Sequence, residues 1–104
     1  MKAPSGKDPR PRWEAGPRRL WYGGQLVKWF RQPAKSQEAI LAAFEEEGWP
    51  KRIDDPLPPV EGRDSMERLH EAVKGLNRSQ VTWLLEFRRD GTGEGVEWLP
   101  ISGR

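Results

Sequence analysis

Apolar residues along this chain fall into short patterned runs separated by glycine, proline and charge. Arg18-Arg19-Leu20-Trp21-Tyr22 and Gln25-Leu26-Val27-Lys28-Trp29-Phe30 flank Gly23-Gly24. Two β-rich runs around a glycine pair predict a tight hairpin, because glycine accepts the positive φ of primed turns. The facing pairs are expected to be Tyr22 with Gln25, Trp21 with Leu26 and Leu20 with Val27. Ile40, Leu41 and Phe44 then recur at helical spacing. Ser36 is placed to cap that helix, which runs through Glu47, and Gly48 to end it in the left-handed conformation before Trp49 and Pro50.

Pro50, Pro56, Pro58 and Pro59 punctuate the stretch up to Gly62 and exclude a regular helix of any length. An extended connector is predicted there, with Ile53 and Leu57 plugged into the core. Asp64-Ser65-Met66-Glu67 is a capping-box pattern, with Asp64 as cap and Glu67 reaching back. Met66, Leu69, Val73 and Leu76 follow as the buried stripe of a second helix reaching about Ser79, with Glu67, Arg68, Glu71, Lys74, Gly75 and Arg78 on the opposite face. A final hairpin is predicted from Thr82–Arg88 and Gly95–Ile101, joined by Arg89-Asp90-Gly91-Thr92-Gly93-Glu94. Period-2 alternation puts Trp83, Leu85 and Phe87 on one face of it. The expected fold class is α+β.

The order hairpin, helix, Pro-rich connector, helix, hairpin resembles the winged-helix effector domains of bacterial response regulators. That resemblance implies a recognition helix at Asp64–Ser79 and a wing at Phe87–Val96, and with them transcriptional regulation. The chain departs from it in having prolines where a middle helix stands, and one N-terminal hairpin where response regulators have a four-stranded sheet.

Charge sharpens the expectation. Residues 1–31 carry eight basic against two acidic residues, residues 32–73 five against ten, and the rest five against four, giving +2 overall. Residues 1–17 contain four prolines and a single sizeable apolar group, Trp13, and are read as a flexible basic arm. The winged-helix-like domain is expected over 18–101, with a short tail at 102–104.

Chemistry is constrained by what the chain lacks. There is no cysteine, hence no thiolate, disulfide or zinc–thiolate site. His70 is the sole histidine and has no evident partner for general-base work. Asp54 and Asp55 are adjacent in an extended segment, where side chains diverge, so they read as turn residues. Gly91-Thr92-Gly93-Glu94-Gly95 lacks the Lys-Ser/Thr of a phosphate-binding loop. The start of the chain has no apolar signal region and no run suits a membrane span, so a cytoplasmic location is expected.

A non-enzymatic protein without cofactor, metal or small-molecule substrate is therefore expected. Its predicted partner is double-stranded DNA. Arg68, Lys74, Asn77 and Arg78 on the second helix, Arg88 and Arg89 at the wing base, and Arg18 and Arg19 of the N-terminal basic stretch are the candidate contacts, since arginine reads guanine and asparagine reads adenine. A protein-interaction module of the same shape is the alternative. A third option is single-stranded RNA stacking on Trp21 or Trp29 beside Arg18, Arg19 and Lys28.

Overall fold

The computed structural model describes residues 10–101. The elements run β1 (Arg12–Glu14), β2 (Arg19–Tyr22), β3 (Gln25–Trp29), α1 (Lys35–Glu46), β4 (Arg52–Asp54), α2 (Ser65–Asn77), β5 (Leu85–Arg89) and β6 (Gly95–Pro100). Strands pair antiparallel into two three-stranded sheets, ordered β1-β2-β3 and β4-β6-β5, giving an α+β fold with two helices. Residues 1–9 of the expected arm, and the tail, lie outside the described residues.

The rest of the expected arm is structured, which corrects the reading of 1–17 as one flexible segment. Trp13 is buried, with its ring edge-on to Phe30 at 5.5 Å, and its backbone N–H donates to Glu45 Oε1 at 2.8 Å. One large indole in the core is enough to fix a three-residue strand, and its position at the sheet edge tolerates the neighbouring prolines.

Gly23 and Gly24, at φ +61° and +80°, make the expected turn, and Tyr22 faces Gln25 and Trp21 faces Leu26. Beyond these pairs the ladder shifts between Leu20 and Trp21, so Leu20 faces Lys28 and not Val27. A bulge sets two residues of one strand against one of its neighbour and breaks the alternation. Val27 and Lys28 are therefore both buried, while Trp29 turns outward and is 46% exposed.

α1 starts without a side-chain cap: Ala34 precedes it, Ser36 lies inside its first turn, and Glu38 Oε2 accepts from the Ala34 N–H at 2.9 Å. Its C-terminal end is firmly closed. Gly48 is at φ +82°, its N–H donates to Glu45 O, and the Trp49 N–H donates to Phe44 O at 2.8 Å. This is a Schellman closure, and its hydrophobic contact is Trp49 stacked on Phe44 at 4.9 Å.

Ile53 and Leu57 are buried as expected, and Ile53 also sits in β4, a strand facing Val96 of β6. α2 is capped by Asp64, whose Oδ1 accepts from the Met66 N–H at 2.9 Å, and it ends at Asn77. Leu69, Val73 and Leu76 are buried as expected, and the stripe departs from expectation at its first residue and on one flank. Met66 is 50% exposed, whereas Ala72 and Gly75 are buried, and a Cβ on Gly75 would lie 2.2 Å from Gln37 Nε2 of α1. Glycine here permits the helices to approach closely. Trp83 precedes β5 and is 64% exposed, while Leu85 and Phe87 enter the core. The Val81 N–H donates to Val27 O at 2.7 Å, joining the loop after α2 to β3.

Candidate nucleic-acid interface

A groove with a volume of about 480 Å³ runs between α2 and the β5–β6 hairpin. Met66, His70 and Lys74 line its helical side, Arg88 and Arg89 the strand side, and Gly91–Gly93 its end. Its walls are held by side-chain amides. Asn77 Nδ2 donates to Phe87 O and Asn77 Oδ1 accepts from the Phe87 N–H, both at 2.8 Å. Gln80 Nε2 donates to Leu76 O and Leu85 O at 3.1 Å. These bonds fasten the end of α2 and the residues just after it to β5.

The hairpin tip is closed by its own hydrogen bonds. Asp90 Oδ1 accepts from the Thr92 N–H at 2.9 Å and from Thr92 Oγ1 at 2.7 Å, while Asp90 Oδ2 accepts from Arg52 Nε. Thr92 and Arg52 together hold the Asp90 carboxyl well below the usual carboxylate range. Arg52 also pairs with Asp54 at 2.8 Å, so β4 braces the tip. Gly95 leaves room for the pair of Arg52 with Asp90, since a Cβ there would run into the ends of both side chains and push them aside. Met66 packs on the tip: a Cβ on Gly93 would lie 2.8 Å from its Cε.

The predicted site residues separate into groups. Lys74, Arg78 and Arg89 are exposed, and their side chains have no hydrogen-bond or ion-pair partner among the described residues. Lys74 and Arg89 share the groove, and Arg78 follows the end of α2. Arg88 also borders the groove but pairs with Glu97 across the hairpin at 3.1 Å. Arg68 does not join them, because its guanidinium donates to Pro58 O of the connector. Asn77 is removed from the reading set, since both ends of its amide are used on Phe87. Arg18 donates to Arg31 O at 3.4 Å, and Arg19 lies on the N-terminal sheet with its guanidinium 6.0 Å from the Trp29 ring. Lys28 is not a surface cation either: it is 7% exposed and donates to Gly75 O and Arg78 O.

Comparison with protein-family models, curated proteins and solved structures finds no match. The chemistry of the surface carries the functional reading. No cluster of three or more His, Asp or Glu suited to a metal ion occurs among the described residues, and none of their helices is long and apolar enough to cross a membrane. Sequence reasoning missed Met66 and His70 as groove residues. Met66 sits in the apolar stripe by spacing, but in the first turn of α2 it is half-exposed and packs against Gly93 of the hairpin tip.

Proposed function

We propose that this protein binds double-stranded DNA without catalysing a reaction, in the manner of a winged-helix transcription regulator. The exposed side of α2 enters the major groove and the β5–β6 hairpin lies on the adjoining backbone. The observation that carries this reading is the pair Lys74 and Arg89, unpaired among the described residues, in a groove whose walls are fixed by Asn77 and Gln80, with Arg78 likewise unpaired just beyond the end of α2. Cations already braced by protein carboxylates contribute little to phosphate attraction, whereas free ones release counterions from the duplex. A helix about 10–12 Å across matches a major groove about 12 Å wide. Glu67 and Glu71 on the exposed side of α2 oppose phosphate but suit the cytosine amino group, so they belong over base edges.

Titration of a duplex at 50 and 200 mM salt tests the reading. Each of Lys74→Gln, Arg78→Gln and Arg89→Gln is expected to lower the salt slope by about 1, and Arg68→Gln to leave it unchanged. A duplex affinity independent of salt, or equal losses from all four variants, would overturn it. The second reading, a protein-interaction module, is favoured by Val81 and Trp83, which are 63% and 64% exposed in the loop before β5. It predicts a defined partner whose binding is lost on Trp83→Ala, with no duplex affinity.

A further inference from the structure

The outer face of the N-terminal sheet combines indole rings with guanidinium groups, and duplex binding by α2 leaves it unused. The Arg31 and Arg19 guanidinium carbons lie 5.0 and 6.0 Å from the Trp29 ring centroid. Trp21 is half-buried, with the Arg12 guanidinium carbon 5.8 Å from its ring. Beside Trp21 a cavity of about 250 Å³ opens, lined by Arg10, Arg12, Tyr22 and Gly23-Gly24. Glu14 is the one carboxylate carried by β1, β2 and β3, and it is engaged: its Oε1 accepts from Trp21 Nε1 at 2.9 Å and its Oε2 lies 3.5 Å from Arg12. The face is thus strongly cationic around two flat rings.

The two rings also share one face. Arg19 faces Trp29 across the ladder and Trp21 lies two residues along from Arg19, which places the indoles on adjacent strands, offset diagonally across the bulge. Successive bases of an extended strand can follow such a diagonal. A duplex cannot use this surface, because its bases present only edges; an unpaired strand presents the flat faces that stack on indole.

We infer that this face binds single-stranded DNA, with successive bases stacking on Trp21 and Trp29 and the surrounding arginines pairing with the phosphates. An entering base takes the place of a guanidinium on the indole, and the freed guanidinium turns to the phosphate of the same nucleotide. No group of the face is placed to require a ribose 2′-hydroxyl: Glu14 is engaged with Trp21 and Arg12, and a deoxy strand supplies the bases and phosphates that the rings and guanidinium groups take. The inference is independent of the groove beside α2, so either site stands if the other fails.

The test is anisotropy titration of a labelled 12-residue oligothymidylate with the full chain at 50 mM salt. Trp29→Leu is expected to weaken binding about tenfold, and Trp29→Phe to restore it to within about threefold, since a smaller ring still stacks. The triple variant Lys74→Gln/Arg78→Gln/Arg89→Gln is expected to bind the strand within about threefold of the wild type, whereas Trp29→Leu leaves duplex affinity intact. Should Trp29→Leu not fold, Arg31→Gln replaces it, with an expected loss of about threefold and a shallower salt slope. Unchanged binding by Trp29→Leu, or by Arg31→Gln in its place, would overturn the inference. So would a loss in the triple variant equal to that of Trp29→Leu, or a ribo-oligonucleotide bound tenfold more tightly than its deoxy counterpart.

Discussion

Lys28 shows how a single residue ties two parts of the molecule together. The bulge in β3 turns its side chain inward, and its ammonium donates to Gly75 O and Arg78 O at the C-terminal end of α2. That end of a helix carries unsatisfied carbonyls and partial negative charge, so a buried cation is well placed there. Burial, with the nearby Arg78 charge, holds the Lys28 pKa below its ordinary value of 10.5. Lys28→Met leaves both carbonyls without this donor and is expected to cost about 2 kcal/mol in urea denaturation. The pH dependence has a definite sign. The unfolded chain binds the Lys28 proton more tightly than the folded one, so the wild type gains stability relative to Lys28→Met as pH rises toward 10.5. Urea melts of both proteins between pH 7 and 10 check this; a difference that stays flat or shrinks with pH contradicts it. None of this was legible in the sequence, where Lys28 looks like one more surface cation. The turn at Gly23-Gly24 was legible, because its chemistry is local, but the turn fixes only the first two pairs and the shift at Leu20 lies beyond its reach.

Among the elements, those announced by local chemistry were readable and those defined by distant partners were not. The Asp64 cap and the Gly48 stop depend on residues within a few positions and appear where the pattern puts them. β1 and β4 each bury a single large side chain, Trp13 or Ile53, among prolines and charges, and β4 pairs with a strand far along the chain. The β5–β6 hairpin depends on two polar devices that look like solvent-facing residues in the sequence. Asn77 is one. Asn77→Ala leaves the Phe87 N–H and carbonyl without their partner, and the expected loss is about 2 kcal/mol, or about 10 °C in Tm for a domain of this size. An Asn77→Ala variant with unchanged Tm would show that the clamp is dispensable. Asp90 is the other. Its carboxyl titrates well below its ordinary value of 3.8, so its stabilising effect is present above that pH and is lost as pH falls below it. Asp90→Asn is expected to flatten the acid limb of the stability curve below pH 4, read by thermal melts across pH 2–6; an acid limb as steep as the wild type's refutes that role.

At the scale of the whole molecule, the tryptophans divide by task. Trp13, Trp49 and Trp98 build the core, with Trp49 and Trp98 edge to face at 6.0 Å, while Trp21 is half-buried and Trp29 and Trp83 are exposed. Half of the six indoles therefore lie in the interior. The cations divide likewise, with Lys74 and Arg89 beside α2 and Arg12, Arg19 and Arg31 against indoles of the N-terminal sheet. The sequence placed Arg18 and Arg19 in one duplex-binding set with Lys74 and Arg89, and the fold puts Arg19 on the N-terminal sheet, against Trp29. The bond from the Val81 N–H to Val27 O bears on a hazard common to small sheet proteins. A strand at a sheet border invites a stranger's backbone to pair with it, the first step toward fibrils. Here the carbonyl at the middle of that border is already taken by the chain's own loop, and the opposite border is three residues long and preceded by Pro11. The protein therefore carries its own guard against templated aggregation on this sheet.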